Sequence, residues 1–549
     1  MSKLVDLTFE GTPINFDLRA YLKGKRVVHG YGNPGAPVWF IGEAPGKDED
    51  EKLIPFIGYS GKELEKMVRH AGGNLNDLYR DNVVPIRPPG NKLDLLDVPA
   101  TVFYPLLEEK ISKFRPKVVV ALGETALRAL CGLGSISKHR GSLLQSTLVP
   151  GIRVVPTYHP AYVLRDWTSR TVVIHDIRRA LEEAEHAELI LPTRTFVVRP
   201  SFEHAVDILD TLSHSVRVGL DIETRGKRIA CIGLSDSPQW AISVPFELKN
   251  HQSYWSEQEE ATIWGMIGGI LANEKIEKII QNASFDVSIL YFHHAPTNGL
   301  IWDTMWVHNL LWPDFEHSLA FMTSIYTCEP YYKDDGKYWE PWMDEANFWT
   351  YNCKDVCVMI EIFEALYEEL KQKKLLDFYT RHYQRLQVPL LRTQLRGFRI
   401  HEAKRIKMKK LWGAKLIQAQ ADFNQLVGKE VNVFSPKQVP DLLYGELKLP
   451  VQRDPVSRRP TTGENALEGL LIKVSDKHKA QVLKGILNIR GIRKFISSYL
   501  NVTIDPDLRI RASFGHTDFG RLKSSKFLDS SGTNLQTIPE EARRFFISD

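Results

Sequence analysis

A chain of 549 residues exceeds one ordinary core and, at about 100 to 200 residues per domain, predicts three or four domains. Hydrophobic content of 43% with 25% charged residues excludes a disordered or fibrous chain, and the absence of an apolar run of about 18 residues, or of an apolar core near the N-terminus, predicts a cytoplasmic protein with no membrane span. The formal charge of +4 is unevenly divided, with 31 Lys and Arg against 16 Asp and Glu in residues 381–549, so the last third is expected to attract phosphate backbones.

The first predicted elements are short apolar runs that end in loops. Val-Trp-Phe-Ile at 38–41 runs into GEAPG, KVVVALG at 117–123 precedes a helix-like ETALRALCG, and IRVVPTYHP follows at 152–160. Buried strands alternating with helices predict an α/β sheet whose function sits at the strand ends. The ordered set GEAPGKDEDEKLIPFIGYSGKEL, DNVVPIRPPGN, VVVALG and PTYHPAYVLR resembles the family-4 type of uracil-DNA glycosylase, over the greater part of residues 1–190. That resemblance implies a pocket for a base extruded from the stack. Phe56 would stack on the base, Asn82 would offer its amide to the uracil edge, and His159 would donate to the oxygen that gains charge as the glycosidic bond breaks. Glu43 or Glu49 would handle the water, and Gly42 and Gly46 would let backbone approach the DNA. The family holds an iron–sulfur cluster on four cysteines. Here Ile86 stands in the place of one, no cysteine precedes Cys131, and Cys131, Cys231, Cys328, Cys353 and Cys357 include no C-x-x-C pair. No iron–sulfur cluster, disulfide framework or zinc site is therefore expected. Residues 1–190 are then either a working glycosylase or a degenerate domain kept for DNA contact or for holding the segments that follow.

The Pro-containing stretch LILPTRTFVVRPS marks a boundary near 190–200, and RVGLDIET and IACIGLSD beyond it read as adjacent strands. Asp221 and Glu223, two apart on an apolar strand, project to one face. QNASFDVSIL places Asn282 and Asp286 four apart. YNCKDVCVMIEIFEALYEEL places Tyr351 and Asp355 on one face of a helix, whose Val356, Met359, Ile360, Phe363, Leu366, Tyr367 and Leu370 make an apolar stripe. Four acids together are costly to bury without cations, and hard oxygen ligands suit a pair of Mg²⁺ or Mn²⁺ ions. Two such ions, about 3.5 to 4 Å apart, activate a water and stabilise the leaving oxygen of a phosphodiester. The ordered set D-I-E, N-A-S-F-D and Y-N-C-K-D resembles the proofreading 3′-5′ exonuclease domain of DNA polymerases, in its tyrosine-containing variety. It implies a ribonuclease H-like fold over residues 195–380, with one metal on Asp221, Glu223 and Asp355, a second on Asp286 with Asp221, and Tyr351 orienting the water. Asp303 in WDTM and His317 in HSL also fall where that family has such residues.

Residues 381–549 continue as a long, basic, mainly helical pattern. LRGFRIH at 395–401, NVFSPKQVPDLLYGELKLP at 432–450 and ILNIRGIRKFISSYLN at 486–501 resemble the thumb of family A DNA polymerases, which grips duplex through its backbone. Arg490, Arg493 and Lys494, at i, i+3 and i+4, share one helix face. RIRASFGHTDFGRLKSSKFLDSSGTNLQTIPEEARRFFISD resembles the segment leading from thumb into palm, which implies that Arg521 and Gln536 contact the primer–template backbone. In that family the palm carboxylates and fingers helix would follow Asp549. The palm is thus expected to be incomplete, nucleotide addition to need a second polypeptide carrying palm and fingers, and Phe545, Phe546 and Ile547 to lie exposed as an unfinished edge. The whole reads as a multidomain α/β protein, the N-terminal portion of a family A DNA polymerase acting on single-stranded 3′ ends and primer–template duplex. A glycosylase fused to a polymerase hints at a bacteriophage, and so at a bacterial host's cytoplasm. The alternatives are a stand-alone repair nuclease joining uracil excision to 3′ trimming, and a non-enzymatic DNA-binding polymerase subunit.

Overall fold

VWFIG, VVVAL and RVVPT are apolar at almost every position, and strands of that kind persist where both faces of their sheet are covered. In the computed structural model they form Val38–Gly42, Val118–Leu122 and Arg153–Thr157, each buried along its length. Residues 5–9, 12–226, 228–336, 344–455, 457–517, 519–528 and 531–548 are described, residues 5–15 as backbone alone; Asp549 lies outside them. The chain divides into two compact units, Met1–Gln384 and Arg385–Asp549.

In the first unit these three strands and Tyr79–Asn82 run parallel, with short antiparallel edges at Tyr31–Gly32 and Leu144–Gln145. Side chains alternate between two cores. Trp39, Ile41, Val119 and Ala121 share one with Leu107, Ile111, Leu127 and Leu130, and Val38, Phe40, Val118 and Val120 share the other with Leu64, Met67, Val173 and Ile177. Ile86 is a buried member of the first core, as is Cys131, whose thiol is pushed up to about 12 by burial. Gly42, Asn82, Leu122 and Thr157 end the four parallel strands, so the loops that follow converge at the edge where open α/β sheets bind ligands.

A second six-stranded sheet is built around the antiparallel pair Arg217–Arg225 and Arg228–Ser235, which aligns Asp221 with Gly233. Trp240–Pro245 and Thr195–Val197 extend it on one side, Glu277–Ile280 and Ile301–Asp303 on the other. The boundary stretch near 190–200 thus contributes its own edge strand. The helix Glu345–Gln372 lies across this sheet and buries Val356, Met359, Ile360, Phe363, Leu366 and Leu370. It can approach because the strands beneath carry glycine: a Cβ at Gly219 would meet Ile360 at 2.7 Å, and one at Gly233 would meet Val356 and Asn352 at 2.7 Å. The two sheets are joined through buried polar contacts. Arg140 pairs with the fully buried Asp176 and donates to Ser324 Oγ at 2.7 Å, and Arg179 donates to the carbonyls of Ser324 and Thr327 at 2.8 and 2.7 Å.

The second unit packs the helices Glu402–Val427 and Lys477–Phe495 around Phe423, Leu443, Leu467, Leu483 and Ile486. The expected exposed edge is not formed. Phe545 is completely buried beside Ile400, Phe495, Leu500 and Ile510, with Phe546 partly buried against them. The backbone explains this: His401 N–H donates to the Phe545 carbonyl at 2.7 Å and Ile547 N–H to that of Arg399 at 3.0 Å, which pins the apolar run onto a distant segment. Ile547 is 38% exposed. Among the described residues, no helix is long and apolar enough to cross a membrane.

The close approach at Gly233 has a measurable cost. Gly233→Ala is expected to lower stability by about 1 to 3 kcal/mol through overpacking, read by thermal or urea denaturation. Gly268→Ala, in a helix where a Cβ meets nothing within 4 Å, is expected to hold or gain up to about 1 kcal/mol. Equal effects of the two substitutions would refute the close-packing account.

Candidate active sites

Asp221 and Glu223 stand on the Arg217–Arg225 strand and Asp355 on the helix that crosses it. One oxygen from each lies within 4.8 Å of the others. Burial, and then the neighbouring Asp355, raises the Asp221 carboxyl to about 7. Burial, then Asp221, holds Glu223 well above the usual carboxylate range. Asn352 Nδ2 donates to Asp221 Oδ2 at 2.8 Å, and Asn352 is itself held by Ser243 Oγ at 2.8 Å. Asp355 accepts from the Tyr332 hydroxyl and from Lys333 Nζ, each at 2.6 Å, and Lys333 also reaches the Tyr351 hydroxyl at 3.2 Å. The Tyr351 hydroxyl is raised by burial and then by Asp355, so it stays protonated. A divalent cation fits this cluster: the donors are hard oxygens, and close carboxylates, two half-buried and one buried, call for positive charge.

Asp286 and Asp303 stand outside that converging trio. Asp286 is buried with Oδ1 on the Ile222 N–H at 3.0 Å, and burial followed by Asp221 raises its carboxyl. Asp303 clamps backbone: its oxygens accept from the N–H groups of Asn282 and Met305 at 3.0 Å and of Ala283 at 2.9 Å, and burial raises it to about 6. Asn282 enters its helix in the left-handed region, φ 58°. His317 meets His308 at 2.7 Å and Asn309 at 3.0 Å, while its carbonyl accepts from Gln281.

At the strand ends of the first sheet, Glu43, Gly46, Glu49, Phe56, Asn82 and His159 line one cavity of about 670 Å³. The Phe56 and His159 rings lie 6.2 Å apart. Gly42 makes room for two of these groups, since a Cβ there would come within 2.5 Å of Phe56 and 2.6 Å of Asn82. Ala161 N–H donates to His159 Nδ1 at 3.1 Å. An accepting Nδ1 leaves the proton on Nε2, and burial, then Arg165, lowers this imidazole to about 4; at neutral pH it is an uncharged donor. Glu43 accepts from Thr125 at 2.6 Å, and Glu49 from the Gly46 N–H at 2.6 Å.

In the second unit, Arg490 is committed to the protein's own loops, donating to the carbonyls of Val433 at 2.9 Å and Thr462 at 2.5 Å. Arg493 and Lys494 are exposed, the first over the Phe434 ring and the second 3.4 Å from Glu464. Arg521 and Gln536 are also exposed, and Gln536 Nε2 donates to the Leu522 carbonyl at 3.1 Å.

Sequence comparison divides the chain in three. The model for the uracil DNA glycosylase superfamily matches residues 29–182, that for 3′-5′ exonuclease residues 200–371, and that for DNA polymerase family A residues 403–549. A type-4 uracil-DNA glycosylase of Thermotoga maritima is 37% identical over 164 residues, which are 29% of this chain and 84% of that protein. The chain belongs, through these residues, to the uracil-DNA glycosylase superfamily. It continues as a DNA polymerase I-like fusion, with family A exonuclease and polymerase domains behind the glycosylase-like one. DNA polymerase I of Synechocystis sp. is 28% identical over 311 residues, 55% of this chain and 30% of that protein. The chain thus spans less than a third of the length of this polymerase relative. The polymerase domain of Pol1 from M. smegmatis, solved with DNA primer-template and dNTP, aligns at a TM-score of 0.49 and 20% identity over 64% of this chain and 57% of that one, too remote to add to the assignment.

Sequence patterns in this polymerase-like fusion left out Asn352, Tyr332 and Lys333. Asn352 carried a signal, a polar residue three before Asp355 and so on the same helix face. Tyr332 and Lys333 sit in a loop, where no periodicity points to a partner.

The raised Asp221 carboxyl makes a pH prediction. The unfolded chain releases this proton near pH 4 and the native state near 7, so the native state binds more protons in between, and metal-free stability falls as pH rises through that window. Asp221→Asn removes the contribution. Its stability relative to wild type in EDTA should rise from about pH 4 to about pH 7; a flat difference would contradict the burial assigned to Asp221.

Proposed function

We propose that this chain trims 3′ ends of DNA at Asp221, Glu223 and Asp355 and recognises uracil in DNA at its N-terminal cavity, as part of a family A DNA polymerase. The division proposed is 1–190 for the glycosylase-like domain, 195–380 for the exonuclease and 381–549 for thumb and start of palm. The observation that carries the exonuclease reading is the convergence of three carboxylates, from two separate elements, within 4.8 Å.

The proposed metals are Mg²⁺ or Mn²⁺, one on Asp221, Glu223 and Asp355 and a second shared by Asp221 with Asp286. Bound there, divalent metal supplies an activated water and neutralises the leaving oxygen. The chain does the rest. Asn352 fixes the orientation of Asp221 by its 2.8 Å hydrogen bond. Tyr351, one helical turn before Asp355, keeps its phenolic proton and orients the attacking water. Arg493 and Lys494 are proposed to contact duplex phosphates, with Arg521 and Gln536 nearer the primer end and Arg490 bracing the loops beneath. Neither a second polypeptide nor a bacteriophage source has an observation behind it, and neither is proposed.

Uracil recognition is favoured by one specific observation: the cavity gathers an aromatic ring, an amide and a neutral imidazole with its proton on Nε2. Phe56 stacks on the base, Asn82 bonds its edge, and His159 donates to the oxygen that gains charge as the bond to the sugar breaks. Glu43 or Glu49 positions the water. The domain is proposed to work without an iron–sulfur cluster, its one thiol, Cys131, being buried in the core.

For the exonuclease, the purified chain should release mononucleotides from a single-stranded 3′ end in Mg²⁺. Asp221→Ala should lower the rate by at least about 100-fold; activity that survives this change would remove the site from Asp221. For the cavity, uracil-containing single strands treated with the chain and then alkali should break at uracil. Asn82→Ala and His159→Ala should each reduce breakage by about 100-fold or more. No breakage by the wild-type chain would assign the domain to DNA contact without excision.

A further inference from the structure

The exonuclease centre carries a cation of its own. Lys333 lies between the helices Leu319–Tyr326 and Glu345–Gln372. Its Nζ donates to both oxygens of Asp355 at 2.6 Å and to the Tyr351 hydroxyl at 3.2 Å. The side chain is only 16% exposed, and the ammonium packs against the Tyr351 ring, 5.0 Å from its centroid. This is not a chance approach of a surface lysine, because the loop around it is fixed at several points. Tyr332, 4% exposed, donates to the same Asp355 at 2.6 Å. Gly336 lies so close to the Tyr351 ring that a Cβ would come within 2.6 Å of it.

The glycosylase-like domain also holds this segment. Arg179 binds the carbonyls of Ser324 and Thr327 just ahead of the loop. Lys138 pairs with Asp334 at 2.7 Å, and His139 meets the Tyr331 ring edge-on at 5.3 Å. Lys333 is thus presented to Asp355 by a loop that the N-terminal domain anchors.

Both Asp355 oxygens are engaged by Lys333, and Asp355 is one of the three carboxylates that converge. A divalent ion taking an Asp355 oxygen must displace a hydrogen bond from that ammonium and stand close to a like charge. We propose that Lys333 is a resident counter-cation: it holds Asp355 in the assembled centre before metal binds, yields the carboxylate to divalent metal, and so sets the metal affinity of the exonuclease. Lys333 is here a positioning residue, acting through Asp355. The inference rests on the reading of Asp221, Glu223 and Asp355 as metal ligands.

The test is Mn²⁺ binding at fixed pH, followed by calorimetry and by the electron paramagnetic resonance of free Mn²⁺, on wild type, Lys333→Met, Lys333→Arg and Asp221→Asn. Removing one adjacent positive charge should tighten Mn²⁺ binding by about tenfold or more in Lys333→Met, while Lys333→Arg stays near wild type. In EDTA, Lys333→Met should melt below wild type, and saturating Mn²⁺ should close the gap; a variant that folds only in Mn²⁺ meets the same expectation. Should it fold in neither, Lys333→Gln takes its place in the titration. Unchanged or weaker Mn²⁺ affinity on loss of the charge, with wild-type binding abolished by Asp221→Asn, overturns the proposal and leaves the metal site standing. Wild-type binding that Asp221→Asn does not alter overturns both.

Discussion

Asp221 and Glu223, half-buried, and Asp355, buried, repel one another at close range, and much of the first unit is arranged so that they can nevertheless be held within 4.8 Å. The sheet offers two of them on one face of a single strand, and the crossing helix offers the third. That helix reaches the strand only because Gly219 and Gly233 leave no side chain between. Asn352, on the same helix, then ties Asp221 to Ser243. Packing and chemistry share one cause here: the close approach that buries the Val356 and Ile360 side chains is what carries Asp355 to its partners.

The same economy holds at the other sheet. Four parallel strands end together, and the loops beyond them bring Glu43, Phe56, Asn82 and His159 to one cavity. The two sheets are tied by charge as well as packing. Asp176 is fully buried, yet the guanidinium of Arg140 and the Thr157 hydroxyl satisfy it, and Arg140 reaches on to Ser324. Breaking such a pair on one side leaves an uncompensated buried charge, at a cost of about 3 to 5 kcal/mol. Thr157 is two residues from His159 and Ser324 begins the approach to Lys333, so the joint between the domains lies beside the lead into each site.

Periodicity made much of this readable in the sequence. Asp221 and Glu223 at a spacing of two, and Tyr351 and Asp355 at a spacing of four, fix a common face once strand and helix are recognised. The buried runs at 38–41 and 117–123 likewise named their strands. What stayed hidden depends on chain segments far apart in sequence. Arg490 has the spacing of an exposed stripe, but the loops at Val433 and Thr462 fold onto it. Phe545 looks like an unfinished edge until the Arg399–His401 backbone pairs with it. Asp303 is legible only by its place in the family pattern; that its carboxylate accepts from the backbone N–H groups of Asn282, Ala283 and Met305 depends on the fold. Lys333 belongs to a loop whose path is set by Gly336, Tyr332 and the N-terminal domain, none of which a local pattern records.

The clustered carboxylates are proposed to form a metal centre. Anomalous diffraction from crystals equilibrated with Mn²⁺ near neutral pH reads this directly. A manganese peak bounded by Asp221, Glu223 and Asp355, and lost in crystals of Asp221→Asn, is the expected result. Saturating Mn²⁺ with no peak among these residues, or a peak that Asp221→Asn leaves in place, would contradict it.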